Sequence, residues 1–186
     1  MTADLLVTAG AEDAVSTAQR AEELGYGSIW LAELWGSAAP VTLGTIAATT
    51  DEIGLGTAIL NVYSRSPAVL AMTAATLDNV SDGRFTLGVG TSTAKAVEDL
   101  HGMTFERPVR RAHETIELLR AFLEGSDAVS YDGELYSAAD FPSLEREVPV
   151  YHAALGRANR RVAARLCDGW IPHNIPFSEL PDAFEY

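Results

Sequence analysis

Segments with strand character and segments with helix character alternate along this chain of 186 residues. Apolar residues recur every three to four positions in the helical segments, whereas the strand segments are short continuous apolar runs. The strand segments read DLLVTAG, SIWLAE, IGLGTAILN, RFTLGVG, VPVYHAA and DGWIP. Such alternation produces right-handed crossovers and a parallel sheet. We therefore expect an α/β fold in which residues 1–186 form a single domain.

The helical segments have ordinary start and stop residues. Pro108 is placed to open a long helix that Gly125 closes, and Ile116, Leu119 and Leu123 line one of its faces. A preceding helix begins at Pro67 and ends before the Asp82-Gly83 turn. The periodicity traces its apolar face through Val69, Met72, Thr76 and Val80. Between residues 126 and 147 the alternation stops, and a hairpin or irregular excursion is expected around Asp132-Gly133.

The charge of the chain is strongly negative. Twenty-six acidic residues face 13 basic ones, for a formal net charge of −13. Such a surface argues against binding to nucleic acid or to anionic membranes, which need basic patches. Adaptation to a salt-rich, halophilic cytoplasm explains this charge, because salt screens self-repulsion. The alternative is an acidic protein of an ordinary cytoplasm.

Cysteine content and hydropathy indicate the compartment. Cys167 is the single cysteine, so no disulfide can form within the chain, as suits a cytoplasmic protein. No apolar run reaches membrane-spanning length, and the first residues lack the basic region and long apolar core of a signal peptide. We expect neither a nucleic acid nor a membrane partner.

Two parallel architectures compete, an open doubly wound sheet and a (β/α) barrel. The open dinucleotide-binding fold requires a glycine-rich turn after the first strand, and the segment TAGAEDA supplies one glycine. A barrel gathers its chemistry at the carboxyl ends of several strands. Polar residues do follow those ends here, although strand ends also meet solvent in any fold. They are Glu33, Asn61, Tyr63, Arg65, Thr91, Ser92, Thr93, Arg157, His173 and Asn174.

Four longer segments carry a family resemblance. They read AEELGYGSIWLAE, IGLGTAILNVYSRSPAVLAMTAATLDNVSDGRFTLGVG, ERPVRRAHETIELLRAFLEG and GRANRRVAARLCDGW. In order and spacing they resemble the luciferase-like family of flavin- and deazaflavin-dependent oxidoreductases. The resemblance is strongest to its coenzyme F420-dependent branch, which includes methylenetetrahydromethanopterin reductases. It implies a TIM-like barrel with the cofactor ring at the carboxyl-terminal mouth, and FMN is the alternative cofactor.

The resemblance assigns the ring end of the cofactor site to the third and fourth strands. Related proteins carry a non-prolyl cis peptide in a bulge of strand three, and the matching bond here is Ala58–Ile59. We expect this bulge to back the central ring and Asn61 to hydrogen-bond near it. Gly90 and Thr91 end the fourth strand at the same mouth. The alternative is a plain buried strand with a trans peptide.

A helix start after the fifth strand is the expected phosphate end. By resemblance, the backbone from Ala154 through Leu155 and Gly156 to Arg157 holds the cofactor phosphate. Free N–H groups and the helix dipole favour an anion there, and a glycine permits close approach. The alternative is an ordinary helix cap with solvated arginines.

The catalytic residues depart from the family pattern. Several F420-dependent relatives carry a histidine after strand two and an acid after strand four, where this chain has Leu34 and Thr93. Glu33 is the nearest titratable candidate, and a salt-bridged or solvated loop residue is its alternative. His152 is expected to pack against a neighbouring strand. No cysteine and histidine cluster has metal-ligand spacing.

A complete barrel needs eight strands, and this sequence supplies about six. We therefore expect an incomplete barrel whose open sheet edges are covered in a homodimer. The leading functional interpretation is hydride transfer between F420 and a small organic substrate. An FMN-dependent monooxygenase of the same family is the second, and a degenerate, non-catalytic flavin-binding protein is the third.

Overall fold

The computed structural model of the chain describes residues 3–8, 11–173, 175, 176, 178 and 180. Its strands are β1 (Asp4–Val7), β2 (Ser28–Leu31), β3 (Gly54–Thr57), β4 (Leu60–Asn61), β5 (Phe85–Gly90), β6 (Val129–Asp132), β7 (Ser137–Phe141), β8 (Val150–Ala153) and β9 (Gly169–Ile171). Its helices are α1 (Ala11–Glu23), α2 (Ala39–Ala47), α3 (Pro67–Val80), α4 (Pro108–Glu124) and α5 (Arg157–Leu166), with a π-helical turn at Ala96–Leu100.

The main sheet is parallel throughout and follows the order β1-β2-β3-β5-β8-β9, with β4 also paired to β5. Helices connect successive strands, and the sheet curls into half of a barrel. The predicted α/β class is therefore confirmed. The single predicted third strand is two short strands, β3 and β4, because a bulge separates them.

Much of the core lies against one face of the central strands. In β5 the side chains of Phe85, Leu87 and Val89 share that face, because side chains alternate along a strand, and all three are buried. Ile29 of β2 and Leu55 of β3 are equally buried beside them. This arrangement fixes the strand register and so fixes which residues emerge at the carboxyl ends.

The helix faces agree with the sequence pattern in α4 and disagree in α3. Ile116, Leu119 and Leu123 of α4 are fully buried, as predicted. In α3 the buried residues include Leu70, Ala71, Ala74 and Leu77, whereas Val69, Met72 and Val80 are exposed. The apolar face that the sequence periodicity indicated for α3 is therefore the outer, exposed face of the helix. Both faces of this helix are apolar, so periodicity does not distinguish them.

The predicted hairpin is confirmed as the antiparallel pair β6–β7. Its turn is closed by the N–H of Gly133, which donates to the carbonyl of Tyr136 at 2.9 Å. The carboxylate of Glu114, on α4, is buried and accepts the N–H groups of Glu134, Leu135 and Tyr136 at 3.0, 2.8 and 3.3 Å. One buried side chain therefore attaches the hairpin to the helix.

We predict that Glu114→Gln lowers the free energy of unfolding by about 2 kcal/mol, because an amide NH2 cannot accept the backbone N–H groups that it would face. Urea denaturation measures this loss. The matched control is Glu23→Gln, whose carboxylate makes a solvent-exposed pair with Arg20 and whose change is expected to stay within about 0.5 kcal/mol. Equal effects in the two variants would contradict the role given to Glu114.

Candidate functional site

The bulge between β3 and β4 shapes the carboxyl edge of the sheet. Gly56 of β3 pairs with Thr86 of β5, and the next pair is Leu60 of β4 with Val89 of β5. The chain therefore advances four residues on the β3–β4 side while it advances three along β5. One extra residue is thereby inserted, which defines a β-bulge. The peptide bond Ala58–Ile59 lies within it and is cis, as the family resemblance predicted.

The hydroxyl of Thr57 bridges the two strands at the bulge. Its Oγ1 donates to the carbonyl of Gly88 and accepts the N–H of the same residue, each at 2.8 Å, and Thr57 is fully buried. These two bonds replace the backbone ladder where it is interrupted. Gly88 is required because a Cβ there would lie 1.9 Å from the carbonyl oxygen of Thr57.

Asn61 emerges just after the bulge with an unsatisfied amide. Its register partner is Gly90, which pairs in turn with Ala153, so the three residues form a row across β4, β5 and β8. The Oδ1 atom accepts the N–H of Tyr63 at 2.8 Å, whereas the buried Nδ2 has no hydrogen-bond partner among the described residues. Buried amide groups are ordinarily paired, so this donor indicates a ligand position.

A cavity of about 180 Å³ opens where Asn61 points out of the sheet. It lies at the carboxyl ends of β2, β4 and β5, and it combines apolar side chains with one carboxylate, one amide, one hydroxyl and one imidazole. Trp35 is 83% exposed at its rim. The lining residues are Glu33, Leu34, Trp35, Asn61, Ser92, Ala96, Leu100 and His101. This composition suits a small organic molecule fixed by few polar groups.

Glu33 is held in an ion pair beside this cavity. Nη1 of Arg65 donates a hydrogen bond to Oε1 of Glu33 at 2.5 Å, and Nη2 donates to Oε2 at 2.9 Å. The N–H of Ala39 also donates to Oε2, at 2.9 Å. The pair joins the loop after β2 to the segment after β4, and it caps the start of α2. These contacts favour the salt-bridged interpretation of Glu33, while its catalytic role stays a prediction.

The start of α5 lies at the same end of the sheet. Gly156 is its N-cap residue, no side chain among the described residues caps it, and a Cβ built on Gly156 meets nothing within 4 Å. Leu155 is exposed, and Arg157 opens the helix. Ala154 is buried, and its carbonyl accepts Nε1 of Trp170 at 2.8 Å, which fixes the approach to the helix.

His152 of β8 is buried against the neighbouring strand β5, as expected. Burial lowers the pKa of its imidazole, and its Nδ1 is 3.2 Å from the carbonyl of Val89. The neutral ring therefore packs between β8 and β5.

Among the side chains that the structure describes, no group of three or more His, Cys, Asp and Glu residues could hold a metal ion. Within those ranges, no helix combines the length and the apolar character that crossing a membrane requires.

Three features of the site escaped the sequence analysis. Arg65 was visible as a polar residue, but its partner Glu33 is 32 positions away and no local pattern connects them. The π-helical turn brings Leu100 and His101 to the cavity, and π-helical geometry has no simple sequence signature. Ser92 is among the polar residues predicted at the strand ends, but its φ of 57°, with which it lines the cavity, has no signal in the sequence.

Comparisons with known proteins agree with this geometry. Residues 2–185 match the sequence model of the luciferase-like monooxygenase family. An F420-dependent glucose-6-phosphate dehydrogenase of Amycolatopsis mediterranei is 35% identical over 178 residues, covering 87% of this chain and 53% of the relative. A 5,10-methylenetetrahydromethanopterin reductase of Archaeoglobus fulgidus is 34% identical over 152 residues, covering 80% and 45%.

A solved structure extends the likeness to three dimensions. The coenzyme F420-dependent tetrahydromethanopterin reductase of Methanopyrus kandleri superposes with a TM-score of 0.80 at 25% identity, covering 93% of this chain and 55% of that one. The chain belongs to the luciferase-like monooxygenase family. It spans about half the length of the curated relatives it matches.

We predict that Thr57→Val destabilises the protein by about 3 kcal/mol, because the N–H and carbonyl of Gly88 lose their partner in a buried position. Thr57→Ser is the matched control, since it keeps both hydrogen bonds and loses one methyl group, at a cost of about 1 kcal/mol. Thermal unfolding of the three proteins measures the difference. The bridge would have no special importance if the serine variant were the less stable of the two.

Proposed function

We propose that this chain binds coenzyme F420 along the carboxyl edge of its sheet and acts in hydride transfer to or from a small organic substrate. The observation that carries the proposal is the buried, unpartnered Nδ2 of Asn61 beside the bulge. Membership of the family and the names of the F420-dependent relatives support the choice of cofactor.

The residues at the ring end fit a flat polycyclic group. Ala58 and Ile59 project a bulge at the edge, and Gly90 accommodates the side chain of Ile59, because a Cβ at Gly90 would lie 3.0 Å from Cδ1 of Ile59. Asn61 supplies a hydrogen-bond donor to a ring carbonyl or ring nitrogen. Thr91 follows Gly90 at the same edge and would add a hydroxyl.

The residues at the start of α5 fit the phosphate end. Backbone N–H groups around Gly156 and Arg157 have positive electrostatic character, and an anion is stabilised there. Ala154 and Leu155 lead the chain to this point, with Ala154 fixed by Trp170. Asn61, Gly90 and Ala153 lie side by side on β4, β5 and β8, between the bulge and the start of α5. A ligand that contacts both ends would cross this row.

The chemistry is divided between the cofactor and the protein. When bound, F420 supplies a ring carbon that accepts or donates hydride. The protein orients the two reactants, and Leu34 and Trp35, exposed at the rim, would cover the reacting centre when the site is filled. Glu33 acts through Arg65 as a positioning residue, because the ion pair holds the loops after β2 and β4 at the mouth. Its direct participation as an acid is the competing assignment.

The remaining assignments follow from the same proposal. The substrate is a small organic molecule that would bind beside the cofactor ring at the cavity lined by Leu34, Trp35 and His101. A cytoplasmic location accords with Cys167 as the single cysteine, which cannot form a disulfide within the chain. A homodimer and adaptation to high salt are proposed as well, the second from the net charge of −13.

Fluorescence titration of the purified chain with F420, and separately with FMN, in molar potassium chloride tests the proposal. We expect F420 to bind at least about tenfold more tightly than FMN, a difference of about 1.4 kcal/mol. Tighter binding of FMN would replace the proposal with oxygen chemistry. Binding of neither by the folded chain would mean that this chain is not a working enzyme by itself.

We predict that Gly156→Asp weakens F420 binding by at least about tenfold, because a carboxylate would stand where the phosphate is held. Gly156→Asn is the matched control, since its side chain has the same size without the charge. Neither side chain should disturb the fold, because the space beyond Gly156 is open and its φ is −80°. Equal affinities of the two variants would remove the phosphate from this position.

A further inference from the structure

A histidine faces the cavity from the π-helical turn. His101 directly follows Leu100, and both line the cavity together with Asn61 and Ser92. The side chain of His101 is exposed, and its imidazole makes no hydrogen bond or ion pair with any residue that the structure describes. An imidazole whose two nitrogens are both unengaged can exchange a proton with a molecule bound beside it.

The backbone around His101 is fixed by the turn that carries it. The N–H of His101 donates to the carbonyl of Ala96 at 3.3 Å, and the N–H of Gly102 donates to the carbonyl of Glu98 at 3.1 Å. At the start of the turn, the hydroxyl of Thr93 accepts the N–H of Ala96 at 3.2 Å. Gly102 has a φ of 65°, a left-handed conformation that suits glycine and ends the turn. The backbone therefore sets the position of the imidazole and leaves its nitrogens available.

Glu33 is the other titratable residue that lines the cavity, and its carboxylate is already engaged. It pairs with Arg65 and accepts a backbone N–H, so taking up a proton would weaken those contacts. On the turn itself, Lys95 and Asp99 pair with each other at 2.7 Å on the exposed side. His101 is therefore the lining residue whose proton moves at the least cost.

The lining also indicates the kind of substrate. Its apolar members include Leu34, Trp35 and Leu100. The cation beside the cavity, Arg65, is neutralised by Glu33, so neither a phosphate nor an ammonium group would meet an unpaired counter-ion among the described lining residues. A charge without such a partner is costly to remove from water. The cavity thus favours a neutral molecule with an apolar body and one polar group near the imidazole.

We propose that His101 is the acid–base residue of the site and that the substrate is a neutral alcohol or, in the reverse direction, the corresponding carbonyl compound. This inference rests on the proposed function, because it takes hydride transfer with F420 as given. While the alcohol carbon loses a hydride to the oxidised deazaflavin, the hydroxyl proton passes to a ring nitrogen of His101. The alcohol becomes a carbonyl compound, the deazaflavin is reduced, and the imidazole becomes an imidazolium.

Alcohol oxidation by the whole chain with bound F420 tests the proposal, with butan-2-ol and cyclohexanol as the substrates and cofactor absorbance as the readout. We expect kcat/KM to rise with pH between about 5 and 8, because only a neutral imidazole accepts the proton. His101→Asn should lower kcat at least about 100-fold and remove this pH dependence. The same variant should keep its Kd for F420 within about threefold of the wild-type value.

Two further measurements separate proton transfer from a structural role. His101→Ala leaves space for free imidazole, and added imidazole should restore part of the lost rate. Diethyl pyrocarbonate should modify His101 in the free protein, and F420 together with cyclohexanone should protect it, a readout that needs no turnover. The matched control is His113→Asn, since His113 pairs with Glu117 on α4 at 3.1 Å and does not line the cavity. It should retain the wild-type rate and pH profile.

A separate measurement of F420 binding distinguishes failure of this inference from failure of the proposed function. If F420 binds and neither alcohol is oxidised, or if His101→Asn keeps the wild-type rate, only this inference is overturned. Modification of His101 that is as rapid with both ligands as without them would also overturn it. A rate lost in Glu33→Gln but kept in His101→Asn would transfer the role to Glu33. If the folded chain binds no F420, both proposals are overturned.

Discussion

The double hydrogen bond between Thr57 and Gly88 is the interaction on which the site depends. It joins β3 and β5 at the point where backbone pairing is interrupted. Beyond it the register has shifted by one residue, which sets Asn61 opposite Gly90 and leaves the Asn61 amide facing a cavity. A regular strand would have directed the opposite set of side chains to the mouth. The hydroxyl therefore combines a structural role with control over which groups meet a ligand.

Charged side chains hold the loops around this edge and its opposite end. At the mouth the Glu33–Arg65 pair connects two strand ends. At the other end Arg84 donates to four backbone carbonyl oxygens, those of residues 47, 50, 53 and 81. Nearby, burial alone would raise the pKa of Glu22. Hydrogen bonds from the backbone N–H groups of residues 51, 52 and 53 outweigh that effect, so the pKa of Glu22 lies below its ordinary value. Arg65 and Arg84, two of the 13 basic residues of this acidic chain, thus hold the loops at its two ends.

The sequence predicts the alternation of elements because their periodicities and turn residues are local. The helix from Pro108, the hairpin after it and the parallel sheet all follow from such signals. The cis peptide at Ala58–Ile59 was reached through the family resemblance, since nothing in the local composition requires it. The exposure of Val69 and Met72 could not be predicted from the sequence, because a helix with two apolar faces has no sequence feature that shows which face packs on the sheet. The pairing of Glu33 with Arg65 likewise depends on the completed sheet.

A crystal structure of the chain with F420 tests the central claim most directly. That claim is that the bulge, the row from Asn61 to Ala153 and the start of α5 form one continuous binding edge. We expect the ring to lie against Ile59 within hydrogen-bond distance of Nδ2 of Asn61, with the phosphate at the backbone of Gly156 and Arg157. A ring bound elsewhere, or a phosphate remote from the start of α5, would contradict it.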